Sequence, residues 1–234
     1  PLWTPRHSAL ASPRVENKGG EKMKHGAQQR VSTAVCWLAV ATAICAVTAS
    51  ARPIRDDSEG GVPVELNYYM ESLCPDCAKF TVGALNEAVE NLGDLFEFKL
   101  YPFGNAKYVN GSDVCQHGPE ECYLNIIDNC AMAFANYSIP EYWPFFRCTE
   151  SVMVEYGHKP GISTIAMQRC TPLLEGIASM GQLNYCASSE LGVRLLLAAK
   201  YETVMLNPPH TYVPWVTIDE VPVLDKVDQI SELV

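Results

Sequence analysis

The sequence predicts an α/β fold that carries a disulfide-stapled helical insertion. Three observations support it. A strand, a Cys-x-x-Cys, a helix and a second strand follow one another between residues 62 and 102. Cysteines and helical periodicity then dominate from about residue 110 to 205. Strand signal returns at Thr211–Ile218.

The elements follow in chain order. Residues 1–22 are polar and aperiodic, and read as sequence upstream of the protein proper. Residues 23–51 have the layout of a secretory signal peptide: a basic start with Lys24 and Arg30, an apolar centre from Ala34 to Val47, and the small-residue site Ala49-Ser50-Ala51. An uncleaved anchor is the alternative, because the uncharged run is long enough to span a bilayer. No later segment is, so no membrane association is expected after cleavage. Residues 52–61 form a charged, Gly-rich flexible lead-in, and residues 62–234 hold the folded domain.

Within that domain, Val62–Met70 reads as a strand. Phe80, Val82, Leu85, Val89 and Leu92 recur at helical spacing, and Gly93 closes that helix. Leu95–Pro102 places Phe96, Phe98 and Leu100 on one face of a second strand. Next come helical patterns at Ala131–Ala135, Thr149–Tyr156, Ser163–Gly176 and Ser189–Met205. Pro140, Pro144, Pro160-Gly161 and Gly181 read as the breaks between them. Thr211–Ile218 and Val221–Leu224 form a plausible hairpin, although Asp219-Glu220 is not the Asn-Gly expected of such a turn. Val227, Ile230, Leu233 and Val234 share a face and open a last helix.

Composition narrows the function. The 234 residues are 48% apolar and 19% charged, which suits one folded domain and argues against disorder. Residues 1–51 hold six of the 17 basic and two of the 27 acidic residues, so removing them takes the net charge from −10 to −14. So acidic a chain is a poor general binder of nucleic acid or anionic membrane. Two of its ten cysteines, Cys36 and Cys45, lie in the segment expected to leave. Eight remain, an even number for an oxidising compartment. The sequons Asn110-Gly-Ser112 and Asn136-Tyr-Ser138 make Asn110 and Asn136 candidate glycosylation sites on the secretory route.

The chemistry centres on Cys74-Pro75-Asp76-Cys77. Disulfide exchange needs a thiolate and a second thiol near enough to resolve the mixed disulfide. At a helix start, Cys74 meets unpaired N–H groups and the positive end of the dipole, which favour the thiolate. Cys77 lies a turn inside. Cys74 is therefore the expected nucleophile and Cys77 the resolving thiol. The structural alternatives are a plain disulfide or half a zinc site, but no second Cys-x-x-Cys completes the latter. His117, His158 and His210 show no metal-ligand spacing, and no metal is expected. Val213-Pro214 precedes a late strand, where a thioredoxin-like fold places a cis-proline facing the dithiol. Val213 and Pro214 are thus the expected substrate-binding pair. Hydrolase signatures such as Gly-x-Ser-x-Gly and His-Glu-x-x-His are missing from the sequence.

A second constellation runs from Cys115 to Cys130. Gly118-Pro119 starts a helix, with Glu120 and Glu121 in its first turn. Cys122, Ile126 and Cys130 share one face, and two staples from that face should follow. His117 reads as a hydrogen-bonded structural group rather than a base. Here the chain resembles the gamma-interferon-inducible lysosomal thiol reductase family. Its pattern C-Q-H-G-x-x-E-C-x-x-N-x-x-x-x-C is matched by Cys115, Gln116, His117, Gly118, Glu121, Cys122, Asn125 and Cys130. The likeness continues through Pro208-Pro209-His210 and Tyr212–Thr217.

The resemblance implies a thioredoxin-like fold with a helical, disulfide-bonded insertion. It implies a glycosylated enzyme that reduces protein disulfides in acidic endosomes or lysosomes, or one that is secreted, with links to immunity. The family's active pair falls on Cys74 and Cys77. The remaining cysteines, Cys115, Cys122, Cys130, Cys148, Cys170 and Cys186, are expected staples with fifteen possible connectivities if all pair internally. No cofactor beyond an external thiol reductant is needed, and the expected partners are disulfide-containing proteins. Two alternatives stay open: an oxidase or isomerase on the same fold, and a secreted, disulfide-stapled binding protein whose Cys-x-x-Cys is a fixed bond.

Overall fold

The structure, a computed structural model, describes residues 63–234. The readings of residues 1–22, 23–51 and 52–61 lie outside the described residues.

Strand β1 (Val64–Met70) leads into a tight turn and α1 (Pro75–Phe80). A wide turn at Thr81–Leu85 joins α1 to α2 (Asn86–Leu92). Gly83 leaves helical geometry there, with φ −102° and ψ −113°, so the expected single helix is broken. Strand β2 (Phe96–Pro102) pairs parallel with β1 along all seven residues. This is the predicted βαβ unit.

Between β2 and the return to the sheet lie a small hairpin and five helices. The hairpin, β3 (Lys107–Val109) with β4 (Ser112–Val114), turns at Asn110-Gly111. The helices are α3 (Pro119–Phe134), α4 (Ile139–Tyr156), α5 (Ile162–Cys170), α6 (Met180–Ala187) and α7 (Glu190–Val204). Three expected breaks fall elsewhere. Pro140 lies in the first turn of α4, where a missing N–H costs nothing, so the helix starts there instead of stopping. Pro144 sits inside α4, whose Tyr142, Trp143, Phe145 and Phe146 are buried. Packing of that aromatic cluster outweighs one lost helical hydrogen bond. Gly181 is within α6, because Ser179 and Gln182 form a capping box that starts the helix at Met180. The helix expected over Ser163–Gly176 ends at Cys170, where Thr171-Pro172 tightens the chain into a short 3-10 turn (Thr171–Leu174).

The chain returns as β5 (Trp215–Ile218), antiparallel to β1, and β6 (Val221–Pro222), antiparallel to β5. The sheet order is β2-β1-β5-β6. Asp219 and Glu220 both take positive φ, 47° and 68°, as a two-residue hairpin turn requires. Asp219 manages without Asn-Gly because its carboxylate accepts the Glu65 N–H at 2.9 Å while its own N–H donates to the Glu65 carbonyl. A 3-10 turn (Leu224–Gln229) and α8 (Ile230–Leu233) finish the described chain, with Ile230 buried.

Two apolar cores result. One joins Leu66, Tyr68 and Met70 of β1 to Phe80, Leu85, Phe98, Trp143 and Val216. The other lies among the helices, around Leu124, Ile127, Phe145, Val152 and Leu183. Three disulfides stitch the helical part: Cys115–Cys122, Cys130–Cys186 and Cys148–Cys170. Cys122 and Cys130 thus send two staples from α3, one to the segment just before it and one to α6.

Candidate active site

Cys74 and Cys77 are the cysteines outside these disulfides among the described residues. Local sequence sets their places. Pro75 is the first residue of α1, and Cys74 is its N-cap. The Cys74 sulfur accepts the Cys77 N–H at 3.3 Å, as a cap does. Cys77, a turn inside, has no solvent exposure, whereas Cys74 keeps 6%. The Tyr68 hydroxyl, on β1, donates to the Cys77 carbonyl at 3.2 Å and fixes the helix start on the sheet.

The two thiols are pushed in opposite directions. The Cys77 side chain beside it, joined by the N–H groups of Cys77 and Asp76, holds Cys74 below the ordinary thiol range although burial opposes this. Burial, with the Cys74 sulfur as its neighbour, pushes Cys77 well above that range. Asp76 points outward and pairs with Lys79 at 3.5 Å.

Facing the dithiol is the loop before β5. The Val213–Pro214 peptide bond is cis, and the Cys74 thiol approaches the Val213 carbonyl at 3.7 Å. An open cleft of about 670 Å³ runs from Cys74 between Tyr212 and Val213 on one side and Val109 and Val114 of the small hairpin on the other. Tyr212, Val109 and Val114 are apolar and exposed. The structure therefore brings Cys74, Cys77, Val213 and Pro214 together. Asn110 and Asn136 are both exposed, the first at the β3–β4 turn and the second between α3 and α4.

Behind the dithiol stands a polar cluster that sequence reasoning missed. Ser72, between β1 and Cys74, donates its N–H to the Asn125 side-chain oxygen at 2.9 Å. Its hydroxyl lies 2.7 Å from that oxygen and 2.9 Å from an Asp128 carboxyl oxygen. One hydroxyl proton cannot serve two acceptors, so a protonated Asp128 completes the arrangement. Burial raises Asp128 to about 7, which agrees. Burial likewise lifts Glu71 and Glu121 to about 7, and drives Glu150 well above the carboxyl range. Glu150 has no exposure, and neither of its oxygens has a hydrogen-bond partner. His117 contacts Glu121 through Nδ1 and stacks on His158, with ring centroids 4.6 Å apart. It is the hydrogen-bonded group the sequence suggested.

Through Asn125, which grips Ser72, the signature thus acts on the turn that carries the dithiol; its Gln116, ahead of α3, accepts from the Asn105 side chain after β2 at 2.8 Å. The only sequence signal for the buried acids was their neighbourhood, Glu71 three residues before Cys74 and Glu121 next to Cys122.

The chain can now be compared with known proteins. Residues 65–173 match the family described as gamma interferon inducible lysosomal thiol reductase. It is 36% identical over 173 residues to a gamma-interferon-responsive lysosomal thiol protein of Arabidopsis thaliana, covering 73% of this chain and 68% of that one. It is 32% identical over 162 residues to a gamma-interferon-inducible lysosomal thiol reductase of Carassius auratus, covering 67% and 60%. For the Mus musculus protein of the same name the figures are 30% over 175 residues, covering 72% and 66%. The chain spans 60–68% of the length of these relatives. Among solved structures, BdbD of Bacillus subtilis superposes with a TM-score of 0.52 at 13% identity, covering 75% of this chain and 87% of that one. DsbA of Chlamydia trachomatis gives 0.52 at 14%, covering 75% and 88%. These likenesses show a thioredoxin-like fold. From the signature of α3 to the length of the matches, the chain belongs to the gamma interferon inducible lysosomal thiol reductase family.

Proposed function

We propose that this protein is a thiol–disulfide reductase of disulfide-containing proteins, with Cys74 as nucleophile and Cys77 as resolving thiol. The observation that carries this reading is the asymmetry of the pair: a rim thiol held low by hydrogen bonds, and a sealed thiol held high by burial.

The Cys74 thiolate attacks one sulfur of a substrate disulfide. A mixed disulfide forms and the other substrate sulfur leaves as a thiolate, which takes up a proton. Cys77 loses its proton and attacks the Cys74 sulfur. The second substrate thiol is released and the Cys74–Cys77 disulfide closes. The pair is oxidised by two electrons and the substrate disulfide is reduced by two. An external thiol restores the dithiol, with no further cofactor. Val213 lines the cleft where a substrate strand would lie, with the cis Pro214 directly after it, and exposed Val109, Val114 and Tyr212 suit the apolar residues of an unfolded chain.

Relatives named lysosomal point to an acidic endosomal or lysosomal setting, reached by the secretory route with glycans on Asn110 and Asn136. A depressed Cys74 answers the scarcity of thiolate at low pH. Among the described residues no helix is long and apolar enough to cross a membrane.

Insulin reduction at pH 4.5 and pH 7 tests the reading. Wild type should reduce insulin, Cys74→Ser should not, and Cys77→Ser should accumulate mixed disulfides through Cys74. Absence of Cys74-dependent activity at both pH values would sink it. A strongly oxidising potential of the pair would favour an oxidase or isomerase instead.

A further inference from the structure

We propose that Glu71, His117 and Glu121 form a binding site for a divalent transition-metal cation of the zinc class, at the edge of the dithiol cleft.

The donor set is two carboxylates and one imidazole, a combination that suits zinc and its neighbours better than magnesium or calcium. One ligand atom from each residue lies within 4.8 Å of the others. Glu71 Oε1 is 3.4 Å from His117 Nδ1. Metal bonds of about 2.0–2.2 Å place tetrahedral ligands about 3.3 Å apart, so that pair is already at coordination spacing. Sequence spacing could not show the set. His117 and Glu121 are four residues apart, but Glu71 comes from the turn just after β1.

The outer oxygens are already held, as the second shell of a metal site holds them. Glu71 Oε2 accepts the Asn105 N–H at 2.7 Å, and Glu121 Oε1 accepts the His117 N–H at 3.3 Å. This leaves the inner oxygens, Glu71 Oε1 and Glu121 Oε2, converging on one nitrogen. Nδ1 can satisfy one of them, and Glu121 Oε2 takes it. Glu71 Oε1 is left without a hydrogen-bond partner, on a side chain with no exposure. A buried oxygen without a partner, beside an imidazole nitrogen that is already engaged, is an unfilled acceptor that a cation would satisfy.

The backbone makes room for that carboxylate. Gly104 has φ +62°, and a Cβ there would sit 2.4 Å from Glu71 Oε2. Glycine at this position therefore lets the chain close around Glu71. The site is also tied to the redox turn, since the Glu71 carbonyl accepts the Cys74 N–H at 3.1 Å. Glu71 and His117 line the same cleft as Cys74, so a cation would enter from there.

The test uses the full chain with Cys74 and Cys77 oxidised to their disulfide, so that neither sulfur competes for metal. Calorimetric titration with Zn²⁺ at neutral pH should show one equivalent bound. Glu71→Gln, His117→Ala and Glu121→Gln should each weaken binding at least tenfold. Glu120→Gln, which changes a neighbouring acid bonded instead to Ser163, should leave it unchanged. No stoichiometric binding by wild type, or equal binding by the three ligand variants, would overturn the proposal. Where a ligand variant fails to fold, imidazole ¹⁵N spectra of wild type decide. Zn²⁺ should shift the Nδ1 signal of His117, and an unmoved signal would overturn the site.

Discussion

Cys74 and Cys77 are one helical turn apart, and their thiols are driven in opposite directions by position alone. Cys74 caps α1 and collects hydrogen bonds to its sulfur, while Cys77 is sealed against the sheet. Alkylation of reduced protein across pH should therefore label Cys74 with a midpoint below the free-thiol value of about 8.5. In Cys74→Ser the remaining Cys77 should resist labelling until well above it; equal reactivity would contradict the asymmetry. Asn125 gives a second residue-scale prediction. Its side-chain oxygen holds the Ser72 N–H in a fully buried place. Asn125→Ala leaves that donor unpaired and should cost about 1–3 kcal/mol, read as a lower urea midpoint. The sequence marked Asn125 as a fixed position of the signature, but its partner lies 53 residues away, and pattern alone could not name it.

Among the elements, α3 is the organiser. It reaches the redox turn through Asn125 and Asp128, the segment before it through Cys122, and α6 through Cys130. The staples should differ in worth, because a cross-link restricts the unfolded chain more when it closes a longer loop. Cys130–Cys186 spans 56 residues and Cys115–Cys122 spans seven. Replacing the first pair by alanine should cost about 4 kcal/mol and the second about 2.5 kcal/mol by that argument. Thermal unfolding of the two double variants checks the order; a larger loss for the short loop would refute it. The strands of the main sheet were legible because apolar alternation survives in the finished fold; the small β3–β4 hairpin and the break at Gly83, which splits the expected first helix, were not. The starts of α4 and α6 were not. Pro140, Pro144 and Gly181 act as breakers in isolation, whereas in the fold aromatic burial and a capping box override them.

For the whole molecule, the buried acids link stability to pH. Asp128 titrates near 3.8 when free and about 7 in the fold, because burial disfavours its charge. Glu71 and Glu121 move from 4.5 to about 7 for the same reason. A folded value above the unfolded one means the folded state binds more protons between those limits. Stability is then greatest below the unfolded pKa and declines as pH rises toward 7. The urea midpoint should accordingly be higher at pH 5 than at pH 7.5. Asp128→Asn should flatten that slope by up to one proton's worth. A midpoint that rises with pH would contradict the burial of these groups as neutral acids. The direction agrees with the acidic setting proposed above.

The sequence by itself determined the βαβ unit, the dithiol at a helix start, the proline before the returning strand and the family signature. Each is written in local spacing, which periodicity and helix-end chemistry can read. The tertiary structure alone decided which cysteines pair and how Glu71, Glu121, Asp128 and Glu150 come to stand around the dithiol. Those facts depend on burial and on contacts between residues far apart in the chain. Desolvation, which sets the protonation of every one of those groups, exists only once the core has closed around them.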